Sequence, residues 1–501
     1  MWKRLVHKIP KKSFRKYKRL ASQNCQSSFN SSCNCNSASI EVETTSNRAS
    51  FATNYGRSNI GIEPLVPFKD VVTDCEKMTL FISKLSLCCT IFDFTNASIN
   101  ASEKELKRVI LLELIEFVSS HSSSYSEQAI LAVCKMCSMN LFRDFPPYIS
   151  TCIPTPIDDD DEDHEPRYDP SWPHLQLVYD LLLKFVTSSS LETRLAKKYI
   201  DYTFLLRLFE LFDSGDPRER ECLKILLHKI YGKFTIHRSF IRKNISYIFY
   251  DYMLDIEKHN GITELLEILG SVIAGFALPL KQEFKVILCR VLIPMHKPKS
   301  LGVYSQQLTY CITQYIEKEP KLASRVISGM LKFWPKTSSR KEVMFLNELE
   351  EILEVIQMAE FQKVMIPLFQ RIGFCIKSCS FQVAERAMVL WNNDKIVNLV
   401  EENRHIILPI VFPALEHNLQ CHWNQVVLNL TYDVRKTFQK MDSSLFNTCH
   451  SHYEKEQEKL TLAIRKQGEG GGEHIENCIN LRPIIKGTVL LLTPLTTSFL
   501  C

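Results

Sequence analysis

Four glutamates, Glu348, Glu350, Glu351 and Glu354, crowd the run NELEEILE, and two histidine pairs, His417/His422 and His450/His452, stand further along. Close carboxylates can do acid–base chemistry, and clustered histidines can hold a metal. Neither set goes further than that. The glutamates lie within a helical pattern and read as a solvated or partner-facing acidic face. The histidine pairs lack the third and fourth ligands a metal needs. Cys134/Cys137 and Cys375/Cys379 have metal-like or redox-like spacing, yet no second cysteine or histidine pair lies beside them, so they read as buried helix thiols. The acidic run Asp158–Asp163, bounded by Pro154, Pro156 and Pro166, lacks the glycine-punctuated spacing of a calcium loop and reads as an exposed loop. No G-x-x-x-x-G-K-[ST], H-E-x-x-H, G-x-S-x-G or kinase signature occurs. The expectation is a chain that is not an enzyme and needs no cofactor.

A second set of residues suits binding rather than turnover. His228, Lys229, Tyr231, Arg238, Arg242 and Lys281 are basic or aromatic and fall between apolar stripes. Cations beside an aromatic ring grip carboxylate or phosphate. The stripes have helical spacing: Phe240, Ile241, Ile245, Ile248, Phe249 and Tyr252 recur at three and four, and Ile262, Leu265, Leu266, Leu269, Val272, Ile273 and Phe276 follow. Asn260-Gly261 breaks the chain as a pair tolerant of left-handed backbone, and Pro279 marks the next boundary.

The elements that position these residues are helices. Of 501 residues, 45 % are hydrophobic and only 15 are glycine, and strand-type alternation is scarce. The expected fold is all-α. The formal net charge is +5, and residues 1–20 carry nine Lys/Arg and no acid, so the remainder is slightly acidic. The body is therefore no nucleic-acid platform. The 18 cysteines follow no secretory segment, which implies free thiols in a reducing compartment.

Residues 1–60 read as a basic, then Ser/Asn-rich disordered arm, with the basic block serving nuclear import or an acidic surface, or simply solvated. Helical text fills 61–460 as about eight helix pairs. Expected helices include Glu76–Phe94, Trp172–Val186, Leu191–Phe212, Arg218–Phe234, Phe381–Val400 and a charged helix ending near Lys459. Pro294, Pro335 and Pro409 mark a period near forty residues, which fits a HEAT-like helical-repeat solenoid, an α-α superhelix. Residues 461–501 read as a Gly-rich linker and variable tail. The apolar stretch Ile484–Leu500 is short for a membrane span.

Stacked helix pairs offer a long surface to other proteins, which by itself gives a scaffold or adaptor. A resemblance sharpens this. HKIYGKF, FIRK, HNGITELLEILGS and GFALPLK, then SWPHLQLVYDLL, FWPKT, KEVMFLNELEEIL, FQVAERA and ILPIVFPAL, resemble the B-prime regulatory subunit family of protein phosphatase 2A. The likeness covers roughly Val72 to Lys459.

The resemblance implies a non-catalytic subunit of the cytoplasm and nucleus. It would dock on a scaffold subunit, touch a metal-containing catalytic subunit and recruit substrates through short Leu-x-x-Ile-x-Glu motifs. Carried over residue by residue, it places His228, Tyr231, Arg238 and Arg242 in the peptide groove. Glu267, Ile268 and Val272 would form the wall for the motif's Ile, and Lys281 would meet its Glu. Lys229 stands where relatives mostly have Arg, Ile225 where they have a polar residue, and Phe284 where they have His. Lysine lacks the planar fork that grips an anion in two places. For Ile268 and Val272 plain repeat packing is the competing reading; for Arg238 and Lys281 that reading is weak. A karyopherin-like transport adaptor on the same solenoid is the alternative function.

Overall fold

The computed structural model describes residues 65–96, 98–145, 167–254 and 259–468. The expected arm at 1–60, the acidic loop at 158–163 and the tail beyond Gly468 lie outside the described residues.

Among the described residues there are helices and turns and no strand. The helices are α1 (Asp74–Leu87), α2 (Ala101–Ser120), α3 (Glu127–Leu141), α4 (Trp172–Thr187), α5 (Thr193–Ala196), α6 (Tyr202–Glu210) and α7 (Pro217–Lys233). Then come α8 (Arg238–Met253), α9 (Ile262–Ala274), α10 (Gln282–Ile287), α11 (Leu301–Lys318), α12 (Ala323–Lys332) and α13 (Ser339–Val355). The series closes with α14 (Met358–Ile376), α15 (Phe381–Val389), α16 (Asp394–Glu402), α17 (Arg404–Cys421), α18 (Gln425–Met441) and α19 (Ser443–Gly468).

They stack as a two-layered solenoid. One layer runs α2, α4, α7, α9, α11, α13, α15, α18, each packed on the next; the other includes α12, α14, α17 and α19. A buried apolar core runs the length between them. Each helix buries the stripe that its spacing sets, as Leu175, Val178, Tyr179, Leu182, Phe185 and Val186 do in α4.

Boundaries follow side-chain chemistry. Ser126, Asp201, Asp216, Ser338, Asn393 and Asn424 each accept a backbone N–H at a helix start. Pro409 and Pro413 lie inside α17, but both are exposed, so the carbonyls they leave unpaired face water and the helix continues.

Four expectations are corrected. Glu76–Phe94 stops at Leu87. Leu191–Phe212 divides into α5 and α6, because Asp201 starts a new helix. Phe381–Val400 divides at Asn393 for the same reason, with Leu390 and Trp391 buried in the tight turn before it. The last helix runs past Lys459 to Gly468. Gly261 is also needed for a different reason than expected. Its φ is −90°, so no left-handed backbone is involved. A Cβ there would lie 2.5 Å from the Phe212 carbonyl oxygen, so only glycine lets this turn seat on the preceding repeat.

Two polar knots fasten the N-terminal repeats. Arg143, after α3, donates from Nη1 and Nη2 to the two oxygens of Glu219 on α7 at 2.8 and 2.7 Å, and to Asp169 at 2.9 Å. Glu219 is fully buried and also accepts from the Tyr179 hydroxyl at 2.7 Å. In the second knot, buried Lys107 donates to the Thr90 carbonyl at 2.7 Å and to Asn140 Oδ1 at 2.6 Å. Burial pushes its ammonium down to about 8. His174 Nε2 donates to the Lys104 carbonyl at 2.9 Å, with Phe92 and Phe94 edge-on to its ring.

Candidate functional site

The acid and histidine clusters come apart in three dimensions. Glu348 is buried and accepts from His296 Nε2 at 2.8 Å, while His296 Nδ1 faces the Ile293 carbonyl at 2.7 Å. With an acceptor at each ring nitrogen the imidazole carries both protons, and the neighbouring carboxylate raises its pKa against the cost of burial. Glu350 pairs with Arg386, and Glu354 accepts from Asn393 at 2.7 Å. The acidic face expected of these glutamates is thus largely spent on packing and on tying α13 to the next repeat. Cys134 and Cys137 are buried, as read, and burial pushes Cys134 up to about 12. Cys375 is buried but Cys379 is exposed, against the expectation of two buried thiols, because it lies in the turn after α14. Among the described residues no three His, Cys, Asp or Glu converge to hold a metal.

The basic and aromatic set does come together. On α7, the exposed residues Ile225, His228, Lys229 and Gly232 recur at three and four and form one solvent-facing stripe. Tyr231 is half-buried beside it. Arg238, at the start of α8, donates to the Tyr231 and Gly232 carbonyls, both at 3.0 Å, with its guanidinium over the Tyr231 ring. Those carbonyls are the unpaired C-terminal acceptors of α7, which a cation suits well. Arg238 therefore has a packing partner after all, contrary to the sequence reading.

Arg242, one turn along α8, joins two segments. Its Nη1 donates to the Tyr231 hydroxyl at 3.0 Å, and its guanidinium lies 5.1 Å from the centre of the Phe284 ring. Phe284 stacks on Phe276 at 3.7 Å with 4° between planes. Beneath them Tyr315 is buried; burial pushes its phenol up and the Arg242 charge pulls it partly back. Residues 228–231 and 281–284 thus meet at Arg242. Lys281 sits at the N-cap of α10 with extended backbone and an exposed side chain. His228, Lys229 and Lys281 make no side-chain hydrogen bond or ion pair among the described residues.

The α9 residues are placed differently. Ile268 and Val272 retain 2 % and 4 % of their exposure, so they line the inter-helix core and offer a ligand almost no wall. Glu267 accepts from Lys224 at 2.6 Å and from Gln307 at 3.3 Å, joining α7, α9 and α11. Arg220–Glu264, at 2.7 Å, repeats that link one turn earlier.

Sequence reasoning missed Lys224 and Gln307, which occupy Glu267. It also missed Phe284 as a support for Arg242; the signal was the pair Phe276 and Phe284 flanking a Pro turn. Ile225, 38 % exposed, is the apolar residue that shares a face with His228 and Lys229.

Comparison with known proteins bears on the chain as a whole. A family model described as "Protein phosphatase 2A regulatory B subunit (B56 family)" matches residues 65–473. The chain is 53 % identical to the 57 kDa B' kappa regulatory isoform of serine/threonine protein phosphatase 2A from Arabidopsis thaliana, over 100 % of both chains. It is 55 % identical to the B' kappa isoform of Oryza sativa subsp. japonica, over 86 % of this chain and 84 % of that one. It is likewise 55 % identical to the B' theta isoform of Arabidopsis thaliana, over 79 % and 80 %.

Proposed function

The chain belongs to the B56 family of protein phosphatase 2A regulatory B subunits, and we propose on that footing how its surface is used. It is a non-catalytic regulatory subunit. In our reading the solenoid joins a scaffold subunit and a catalytic subunit in a heterotrimer, and steers substrate choice. The cationic face where residues 228–231 and 281–284 meet at Arg242 receives short Leu-x-x-Ile-x-Glu segments of substrate proteins. One observation carries the reading: Lys229 and Lys281 stand exposed and make no ion pair among the described residues, so this face has positive charge to spend on an incoming anion. The basic block at the start of the sequence serves entry to the nucleus, and the complex works there and in the cytoplasm.

Two experiments test this. Affinity isolation of the tagged chain returns phosphatase scaffold and catalytic chains; a Ran-type GTPase in their place would support a transport adaptor instead. In the second, Lys281→Glu weakens binding of a Leu-x-x-Ile-x-Glu peptide by at least about tenfold, the loss of roughly 1.4 kcal/mol expected from one charge-assisted contact. Assembly with the scaffold persists, because distant sites on a repeat array behave independently. Calorimetric titration reads the affinity, and a circular-dichroism melt controls for folding. Equal affinities in two folded proteins would mean that the acidic position is read elsewhere.

A further inference from the structure

We propose that Glu283 is an internal stand-in for the ligand's carboxylate: it occupies Arg242 until an acidic group displaces it, and so sets the threshold affinity of the cationic face. The proposal rests on the reading of that face as a peptide site.

Arg242 is rigid. Only 14 % of its side chain is exposed. The Tyr231 hydroxyl holds one end, and Phe284, itself fixed on Phe276, lies under the guanidinium plane. The arginine cannot swing toward a ligand or away from one. Its Nη2 faces Glu283 Oε1 at 3.5 Å. That is well beyond the 2.7–2.9 Å or so of a settled charge-assisted bond. Glu283 is the loose partner, 52 % exposed on the outer side of α10.

Exposed Lys229 and Lys281 apart, the neighbouring carboxylates Glu264, Glu267 and Glu319, and the cations Lys285 and Arg238, are committed elsewhere. Glu264 and Glu267 are held by Arg220 and Lys224 at 2.7 and 2.6 Å. Glu319 holds Lys285 at 2.7 Å. Arg238 spends its donors on helix carbonyls. A fixed cation with one long, exposed ion pair is therefore the place where a carboxylate can be traded for a carboxylate. The trade leaves the local charge of the pair unchanged, and the released Glu283 returns to water. Phe284 matters because it cannot ionise: the seat it gives Arg242 is the same at every pH, where a histidine would add a charge on acidification.

The test is a double-mutant cycle on the full chain: wild type, Glu283→Gln, Arg242→Gln and the double variant. Two probes are used, a Leu-x-x-Ile-x-Glu peptide by calorimetry and inorganic phosphate by its shift of the melting temperature. Glu283→Gln tightens both probes about two- to fivefold, the range of an exposed ion pair removed. That gain vanishes in the Arg242→Gln background. Glu283→Asp, which keeps the charge but withdraws it from Arg242, shows part of the gain. A gain that survives Arg242→Gln would mean that Glu283 acts only as a distant charge, and absence of any gain would mean that it holds nothing; either result overturns the proposal. If no variant binds the peptide but phosphate shows the Arg242-dependent gain, the peptide reading falls and the stand-in role remains.

Discussion

Glu219→Ala destabilises the N-terminal repeats by about 3–5 kcal/mol, the cost of stripping one partner from a buried ion pair. Glu219 has no solvent exposure and takes three hydrogen bonds, two from Arg143 and one from Tyr179. Its removal leaves the buried Tyr179 hydroxyl without an acceptor. It also leaves Arg143 with Asp169, at 2.9 Å and partly in water, and with the Leu141 carbonyl at 3.3 Å. The loss is local at first, because each repeat leans only on its neighbours. Hydrogen exchange of the α4 and α7 amides reads it best, with the midpoint of urea unfolding beside it. Replacing both partners by apolar residues, Glu219→Leu with Arg143→Met, recovers part of the stability, since two desolvated charges leave together while the Tyr179 hydroxyl stays unpaired. A single-variant loss under about 1 kcal/mol would show that this knot is not what joins α3, α4 and α7.

Acid is the second large effect, and neutral histidines cause it, His174 and His259 above all; burial holds His121, His237 and His417 below the usual imidazole range as well. His174 must carry its proton on Nε2 to donate to the Lys104 carbonyl, so Nδ1 is bare, buried and without a partner. Burial, then the charge of Lys107, lowers its pKa to about 4; the hydrogen bond to the Lys104 carbonyl opposes this, the Lys104 charge adds to it, and Glu105 opposes it. His259 Nδ1 accepts the Gly261 N–H at 3.1 Å, so protonation there breaks a turn contact; burial and Arg220 again lower the pKa to about 4. The unfolded chain takes up these protons near pH 6.5, whereas the native sites refuse them. Stability therefore falls as pH drops below about 6.5 and stops falling on their account near 4. Each site loses about 2 kcal/mol by pH 5 and about 3 by pH 4. His296 has the opposite sign. Its raised pKa makes its contribution complete on the acid side and lost as pH rises through that pKa. Urea midpoints between pH 7 and pH 5, where most carboxylates stay ionised, measure the slope. In a His174→Gln, His259→Asn double variant, which keeps a donor at one site and an acceptor at the other, most of the slope disappears. An unchanged slope would assign the acid lability to other groups.

The helices were legible because burial on one side writes itself into spacing. Trp172–Val186 and Arg218–Phe234 fall within one residue of their observed ends. The breaks at Lys197–Asp201 and Leu390–Asn393 were not legible. Ile200, Leu390 and Trp391 are buried in the turns themselves, so the apolar pattern runs on while the backbone does not. The candidate site was legible as a set of residue types and not as a set of roles. Nothing near Glu348 in the sequence points to His296, and nothing near Glu267 points to Gln307, because those partners arrive from the neighbouring repeat. Ile268 and Val272 sit at the right spacing for a wall, but spacing places a residue on a face without saying whether another helix covers it.

The way Arg238 caps α7 decides which substitutions can be trusted as reporters. Because its guanidinium closes the last carbonyls of that helix, removing it frays the segment that carries Tyr231 along with the charge. A binding defect in an Arg238→Ala protein would mix a damaged platform with a missing contact, and no affinity measurement alone could separate them. Lys281, Lys229 and His228 carry no such internal duty, so charge reversals there leave the platform standing. On a surface like this one, the most informative mutants are the residues that hold nothing else up.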